Sequence, residues 1–153
     1  MKAKKNIGIE IVCNNRKAKF NYFFHELIEA GIVLKGSEVK SLRDGKANIT
    51  DAYASDHDGE IYLINSHIPS YKESSYNNHE PRDSRKLLLN KKEIHQIKKK
   101  IAEKKFSLIP IKLFINDRGY AKIEIGLGKG KREFDKREDI KQRDISRKIR
   151  EDI

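Results

Sequence analysis

Apolar and polar positions alternate at the start of the chain, where Ile7, Ile9 and Ile11 share one face, and the spacing predicts a first strand over 7–13. Asn14-Asn15 and the basic cluster Arg16, Lys17 and Lys19 read as a turn. Phe20, Phe24, Leu27 and Ile28 then recur at helical spacing, which predicts a short helix capped by Asn21 and closed at Gly31. The β-branched run from Ile32 to Leu42 predicts a strand, with Gly36 as a bulge or barrel corner. Asp44-Gly45 makes a turn, and strands follow near Ala52–Ser55 and Glu60–Ile64 around the hairpin sequence Asp56-His57-Asp58-Gly59. Pro69 to Pro81 is polar and irregular.

The clearest helix start lies at Asn90. Asn90 caps, Glu93 sits at the capping-box position, and Leu89 can staple to Ile94. Ile94, Ile97 and Ile101 form its apolar stripe, and seven lysines (91, 92, 98, 99, 100, 104 and 105) make the remainder basic. Two alternating strands, Ile109–Ile115 and Ala121–Leu127, close the patterned region. The glycines 126, 128 and 130 read as a flexible exit from the last of them. Short strands with two helices predict a small α+β protein built on an antiparallel β-barrel over residues 1–130.

Beyond that point the periodicity stops. Residues 131–153 hold 16 charged side chains and five apolar ones, Phe134, Ile140, Ile145, Ile149 and Ile153. Ordering a backbone costs about 1–2 kcal/mol per residue, and this segment buries too little to repay it. Three acid-first i,i+4 pairs (Glu133–Arg137, Asp139–Arg143 and Asp144–Lys148) offer only about 0.2–0.5 kcal/mol each. The expectation is a tail disordered when free and helical on a partner.

Charge sharpens that expectation. Lys and Arg number 34 against 23 Asp and Glu, a formal net charge of +11, which favours a polyanionic partner. A single cysteine, Cys13, excludes an internal disulfide and suits a reducing, cytoplasmic setting. No apolar run reaches the roughly 20 residues of a membrane span, and no signal-peptide stretch follows the basic first residues.

Catalytic patterns fail on inspection. Gly31 to Gly36 begins like a phosphate loop, but Ser37-Glu38 stands where Lys-Ser/Thr is required. The five histidines lie apart without cysteine partners, so no metal or other cofactor is expected. Glu38-Val39-Lys40 resembles half of a metal-dependent nuclease site, but the upstream Asp is missing, which leaves that reaction as the enzymatic alternative. Basic groups at Arg16–Lys19, at Arg82–Lys86 and on the Asn90 helix, with Tyr71, Tyr76 and His79 nearby, suit RNA better. A general basic RNA chaperone or ribosome-associated barrel is the binding-class alternative.

Five motifs in order then resemble one family. They are Asn15-Arg-Lys-Ala18; Glu29-Ala-Gly31; the run Gly36-Ser-Glu-Val-Lys-Ser-Leu-Arg-Asp-Gly-Lys-Ala-Asn-Ile-Thr-Asp-Ala-Tyr53; Asn78-His-Glu-Pro-Arg-Asp-Ser-Arg-Lys-Leu-Leu-Leu-Asn90; and Gly128-Lys-Gly-Lys131 with Asp135-Lys-Arg-Glu138. Together they resemble the small protein B family, the SsrA-binding proteins of bacterial trans-translation. The resemblance implies an oligonucleotide-binding-type β-barrel with flanking helices, a non-enzymatic adaptor that binds the tRNA-like domain of transfer-messenger RNA. With elongation factor Tu, held through the charged RNA, it brings that RNA to stalled ribosomes. It implies an RNA-binding face containing Glu29, Leu89 and Lys122, and the matched motifs add Arg16, Lys17, Glu38, Lys40, Arg43, Asn78, His79, Arg82, Arg85, Lys86 and Asn90 as candidates. The tail is implied to enter the small-subunit decoding centre through Lys129, Lys131, Phe134, Asp135, Lys136, Arg137, Lys141 and Arg143, with Phe134 placed to stack on a ribosomal base.

Overall fold

The computed structural model describes residues 9–71 and 78–131. Seven strands, β1 (Glu10–Asn14), β2 (Tyr22–Ile32), β3 (Tyr53–His57), β4 (Glu60–Ile64), β5 (Arg85–Leu88), β6 (Ser107–Ile115) and β7 (Ala121–Gly130), form one antiparallel sheet in the order β1-β6-β3-β4-β5-β2-β7. Strand β6 also pairs with β7, so hydrogen bonds followed from β6 through β3, β4, β5, β2 and β7 return to β6. Three helices are attached: α1 (Arg16–Asn21), α2 (Gly36–Arg43) and α3 (Lys91–Lys104). This is a mixed α/β fold with its core inside the strand circuit. Ile61, Leu63, Leu87, Leu113, Ile123, Ile125 and Leu127 point inward and are fully buried, joined by Leu42 of α2 and by Ile94 and Ile97 of α3.

Local chemistry explains most of these elements. Asp58 and Gly59 both have positive φ, the backbone that a two-residue hairpin with right-handed strand twist requires. Asn116 Oδ1 accepts from the amides of Arg118 and Tyr120, and Gly119 takes the left-handed position, which turns β6 into β7. At α3, Asn90 Oδ1 accepts from the Glu93 amide at 2.8 Å and Glu93 Oε1 accepts from the Asn90 amide at 3.0 Å, the reciprocal cap expected.

Three stretches differ from the sequence reading. Residues 22–32 form a strand, not a helix, because β5 and β7 both pair with this segment and a helix would leave their edges open. Leu27, assigned to a helical core stripe, is 56% exposed on its outer face. Residues 36–43 form a helix, not a bulged strand. Glu38 Oε1 accepts from the Lys35 amide at 2.7 Å and closes the first turn, a cap hidden by a lysine at the cap position itself. The basic Arg16–Lys19 cluster is the short helix α1 rather than a turn, held to the sheet by buried Ala18 against Ile109 and Ile111.

The glycines of β7 are also not a flexible exit. They lie inside the ladder to β2, where a Cβ on Gly128 would stand 2.0 Å from the Phe23 carbonyl oxygen and one on Gly126 2.5 Å from the Phe24 ring. Close approach of backbone and ring excludes any side chain there.

Candidate nucleic-acid interface

Side chains on β7 alternate between core and surface. Because Ile123, Ile125 and Leu127 face inward, Lys122 and Glu124 face outward, and register carries that face across the neighbouring strands. One cross-strand row runs Ile11, Phe114, Lys122, Gly31 and Leu88, through β1, β6, β7, β2 and β5. The next row sets Lys112, Glu124 and Glu29 side by side. Glu29 is exposed, and directly opposed like charges cost stability in a ladder; on the other side of Glu124, Lys112 holds its ammonium 5.3 Å from the centre of the Phe114 ring.

A groove of about 400 Å³ opens at the Lys122 end, with an apolar floor of Leu34, Val39 and Leu88 and with Tyr120 and Lys122 at its rim. Gly31 gives it depth, since its missing Cβ leaves Leu88 Cβ only 3.2 Å from where a side chain would begin. Arg43 of α2 reaches the same rim: its guanidinium lies 3.6 Å from the Cβ position of Gly119. A second groove of about 520 Å³ lies further along β7, bounded by Arg16 and Lys19 of α1, Lys112 and His25, with Phe24 in its lining. Glu124 lines it as well, so the two grooves are parts of one outer face. Such a face offers apolar slots for bases between cations for phosphates. At its far end the Lys131 ammonium lies 4.8 Å from the centre of the half-exposed Phe23 ring, with Lys129 exposed beside it.

The sequence-derived candidates divide sharply. Arg16, Glu29, Arg43 and Lys122 belong to this face or its rim, whereas Lys17 lines a separate cleft with Asp51 and Tyr53. Leu89 does not: it packs against the core, and the exposed leucine beside Gly31 is Leu88 at 54%. Glu38, Arg85 and His79 are likewise placed inside the protein, being 2%, 3% and 3% exposed. Arg85 Nε donates to Glu38 Oε2 at 2.6 Å, and its two terminal nitrogens donate to Ser66, Asp83, Glu80 and Pro81 carbonyls and to Ser66 Oγ. His79 donates from Nε2 to the Ile68 carbonyl, which leaves Nδ1 to accept from Ser37 Oγ at 2.8 Å. Both oxygens of Glu38, all three nitrogens of Arg85 and both ring nitrogens of His79 have partners inside the protein.

The remaining candidates lie elsewhere. Lys40 sits over the Tyr71 ring at 5.6 Å. Arg82 is exposed and donates to Asn65, and Lys86 pairs with Glu60 at 3.8 Å. Asn78 exchanges two hydrogen bonds with the Tyr71 backbone, and Asn90 is committed to its cap. Tyr76 and the tail residues Phe134, Asp135, Lys136, Arg137, Lys141 and Arg143 lie outside the described residues. Leu88, Lys112, Tyr120 and Glu124 were missed by sequence reasoning. The alternation on β7 was legible enough to place Glu124 with Lys122, whereas Leu88 needed the four-residue strand β5, which no turn signal announced.

Among the described residues, no three His, Cys, Asp or Glu side chains gather where they could hold a metal ion. Burial pushes the Cys13 thiol up to about 11, partly opposed by a hydrogen bond with the Ile49 backbone, so it is not a ready nucleophile at neutral pH. No helix of the described residues is long and apolar enough to cross a membrane.

Known proteins resemble this chain in sequence and in fold. The family described as SmpB protein matches residues 12–153. An SsrA-binding protein from Rhizobium etli is 52% identical over 146 residues, covering 95% of this chain and 92% of its own. Another, from Symbiobacterium thermophilum, is 49% identical over 147 residues, covering 96% and 93%. A solved chain from a structure of tmRNA–SmpB and the bacterial ribosome superposes with a TM-score of 0.66 at 47% identity, covering 79% of this chain and 85% of that one. By sequence along nearly its whole length and by fold, the chain belongs to the SmpB family.

Proposed function

We propose that this protein binds transfer-messenger RNA (SsrA) and carries it to stalled ribosomes as the RNA-binding adaptor of trans-translation. Membership of the SmpB family carries the reading, and the outward row of Lys122, Gly31 and Leu88 gives it a physical basis. The strand circuit is read as a small barrel of oligonucleotide-binding type whose β2–β7 face grips the tRNA-like domain. Lys122, Arg43 and Arg16 supply phosphate contacts; Leu88 and Tyr120 present apolar surface to unpaired bases; Glu29 accepts from a ribose or base donor. Glu38, Arg85 and His79 hold the frame. The work is binding rather than catalysis, in the cytoplasm where ribosomes are, and elongation factor Tu joins through the charged RNA. Residues 131–153, too poor in apolar side chains to fold alone, order in the small-subunit decoding centre through Phe134, Asp135, Lys136 and Arg137.

The test compares affinity for the tRNA-like domain with affinity for bulk tRNA at one salt concentration. Clear preference for the tRNA-like domain is expected. Equal affinity would leave a general basic RNA chaperone as the better description. Truncation after Gly130 is expected to leave this binding intact and abolish tagging of stalled peptides; lost RNA binding would mean that barrel and tail do not divide the labour in this way.

A further inference from the structure

Helix α3 carries cations where its own stability disfavours them. Ile94 and Ile97 face the core, and Glu93, Gln96, Ile97 and Lys100 face β2 across a small cleft with Glu26 and Ile28. The outward stripe is therefore Lys91, Lys92, His95, Lys98 and Lys99, spaced as neighbours over about two turns. All five are exposed, and no acidic residue lies within the stripe. Glu93 is committed to the cap, and Glu103 lies one turn beyond. Lys98 has a loose, half-exposed contact with Asp56 at 3.8 Å, whereas Lys91, Lys92 and Lys99 have no carboxylate within 4 Å among the described residues.

Two features argue against a merely solvated face. Lys91 and Lys92 occupy the first turn, at the positive end of the helix dipole, where a cation is unfavourable and an acid would be stabilising. Repulsion along the stripe adds to that cost, and among the described residues only the loose Lys98–Asp56 contact offsets it; a local rule broken for so little structural gain points to a ligand. The stripe also begins three residues after Leu88, so its first lysine has its Cα within about 11 Å of that end of the Lys122–Leu88 row. From the first pair of lysines to the second is about 10 Å along the axis, a span that follows one backbone strand over successive phosphates.

We infer that the Lys91, Lys92, Lys98 and Lys99 face of α3 is a phosphate-backbone clamp, binding the continuation of the same RNA that rests on Leu88 and Lys122. The inference rests on the proposed function for the identity of that RNA. It assigns the stripe no sequence preference, because lysines there meet backbone oxygens only.

The experiment measures binding of the full chain to a tRNA-like-domain RNA fragment over a salt series. The variants are Lys91→Gln/Lys92→Gln/Lys98→Gln/Lys99→Gln, a Lys46→Gln/Lys104→Gln control, and Lys122→Ala. Each phosphate contact adds about 0.7–0.9 to the slope of log K against log salt, so the quadruple variant is expected to lower the slope by about 3 and weaken binding about tenfold or more at moderate salt. The control is expected to change the slope by less than about 0.5. Thermal unfolding of the quadruple variant at or above the parent temperature would establish that it folds, since the substitution relieves the repulsion at the helix start. An unchanged slope in the quadruple variant, with binding weakened by Lys122→Ala, would overturn the clamp and leave the proposed function standing. Loss confined to ribosome association would also overturn it, by giving the stripe to a different RNA. Failure of the parent chain to prefer this fragment over bulk tRNA would remove the proposed function and the clamp's partner together.

Discussion

Arg85 and Lys86 are neighbours in one motif and share a charge, yet they lead opposite lives. Arg85 turns inward beneath α2, bonded to Glu38 and to the carbonyls of the 80–83 turn. Lys86 turns outward with Leu88 onto the surface that β5 shares with β2. The same division runs through the whole molecule. Glu38, Arg85 and His79 form a closed polar cluster that shapes the frame, while Glu29, Lys122, Arg16 and Arg43 stand on a face with no equivalent internal demand. A charged motif residue is thus two different things, depending on which way a period-2 alternation points it. Its chemistry alone does not distinguish RNA contact from internal brace.

The contrast breaks most visibly at Arg85. Arg85→Ala leaves the Glu38 carboxylate and several carbonyls buried without their partner, and is expected to cost about 3–5 kcal/mol in urea-induced unfolding. A loss under 1 kcal/mol would mean that the cluster braces nothing. Gly128→Ala follows, because its methyl group would meet the Phe23 carbonyl. About 3 kcal/mol of destabilisation is expected, with β2 and β7 forced apart.

The outer face should behave in the reverse way. Lys122→Ala is expected to keep stability within about 0.5 kcal/mol of the parent, while lowering the salt slope of RNA binding by about one. Leu88→Ser is expected to behave alike in stability and to weaken RNA binding, whereas Leu89→Ser, which opens the core side, should register mainly as lost stability.

The smallest effect belongs to Cys13. Its folded pKa of about 11 lies above the ordinary 9.0, because burial disfavours the thiolate. Any stability it contributes is therefore fully present below pH 9 and is lost as pH rises toward 11. Alkylation at pH 8 is expected to run about a hundredfold slower than in the urea-unfolded chain.

Much of the body was legible from pattern alone. Strands β3, β4, β6 and β7, the Asp58-Gly59 hairpin and the full capping box of α3 follow from local chemistry, and the structure has them. The failures share a cause. Residues 22–32 have apolar positions that satisfy a helical period, and only pairing with β5 and β7, distant in sequence, makes them a strand. The run from Ile32 to Leu42 looks β-branched at its start because Ile32 and Val33 lie at or just past the end of β2, while the helix behind them is closed by a Glu that also serves Arg85. Of the candidate face, Lys122 was readable from strand alternation, whereas the inward course of Arg85 and His79 was not, since burial is decided by what the rest of the chain places around them.

The central claim is that the β2–β7 face, and not the buried cluster, holds the RNA. Its most direct measurement is affinity for the tRNA-like domain, at one fixed salt concentration, of the parent chain and of a Leu88→Ser/Lys122→Ala variant shown by its unfolding curve to be as stable as the parent. The account predicts a loss of about a hundredfold, or roughly 2.7 kcal/mol, with stability unchanged. Parent-like affinity in that folded variant would contradict it and move the RNA to another surface of the molecule.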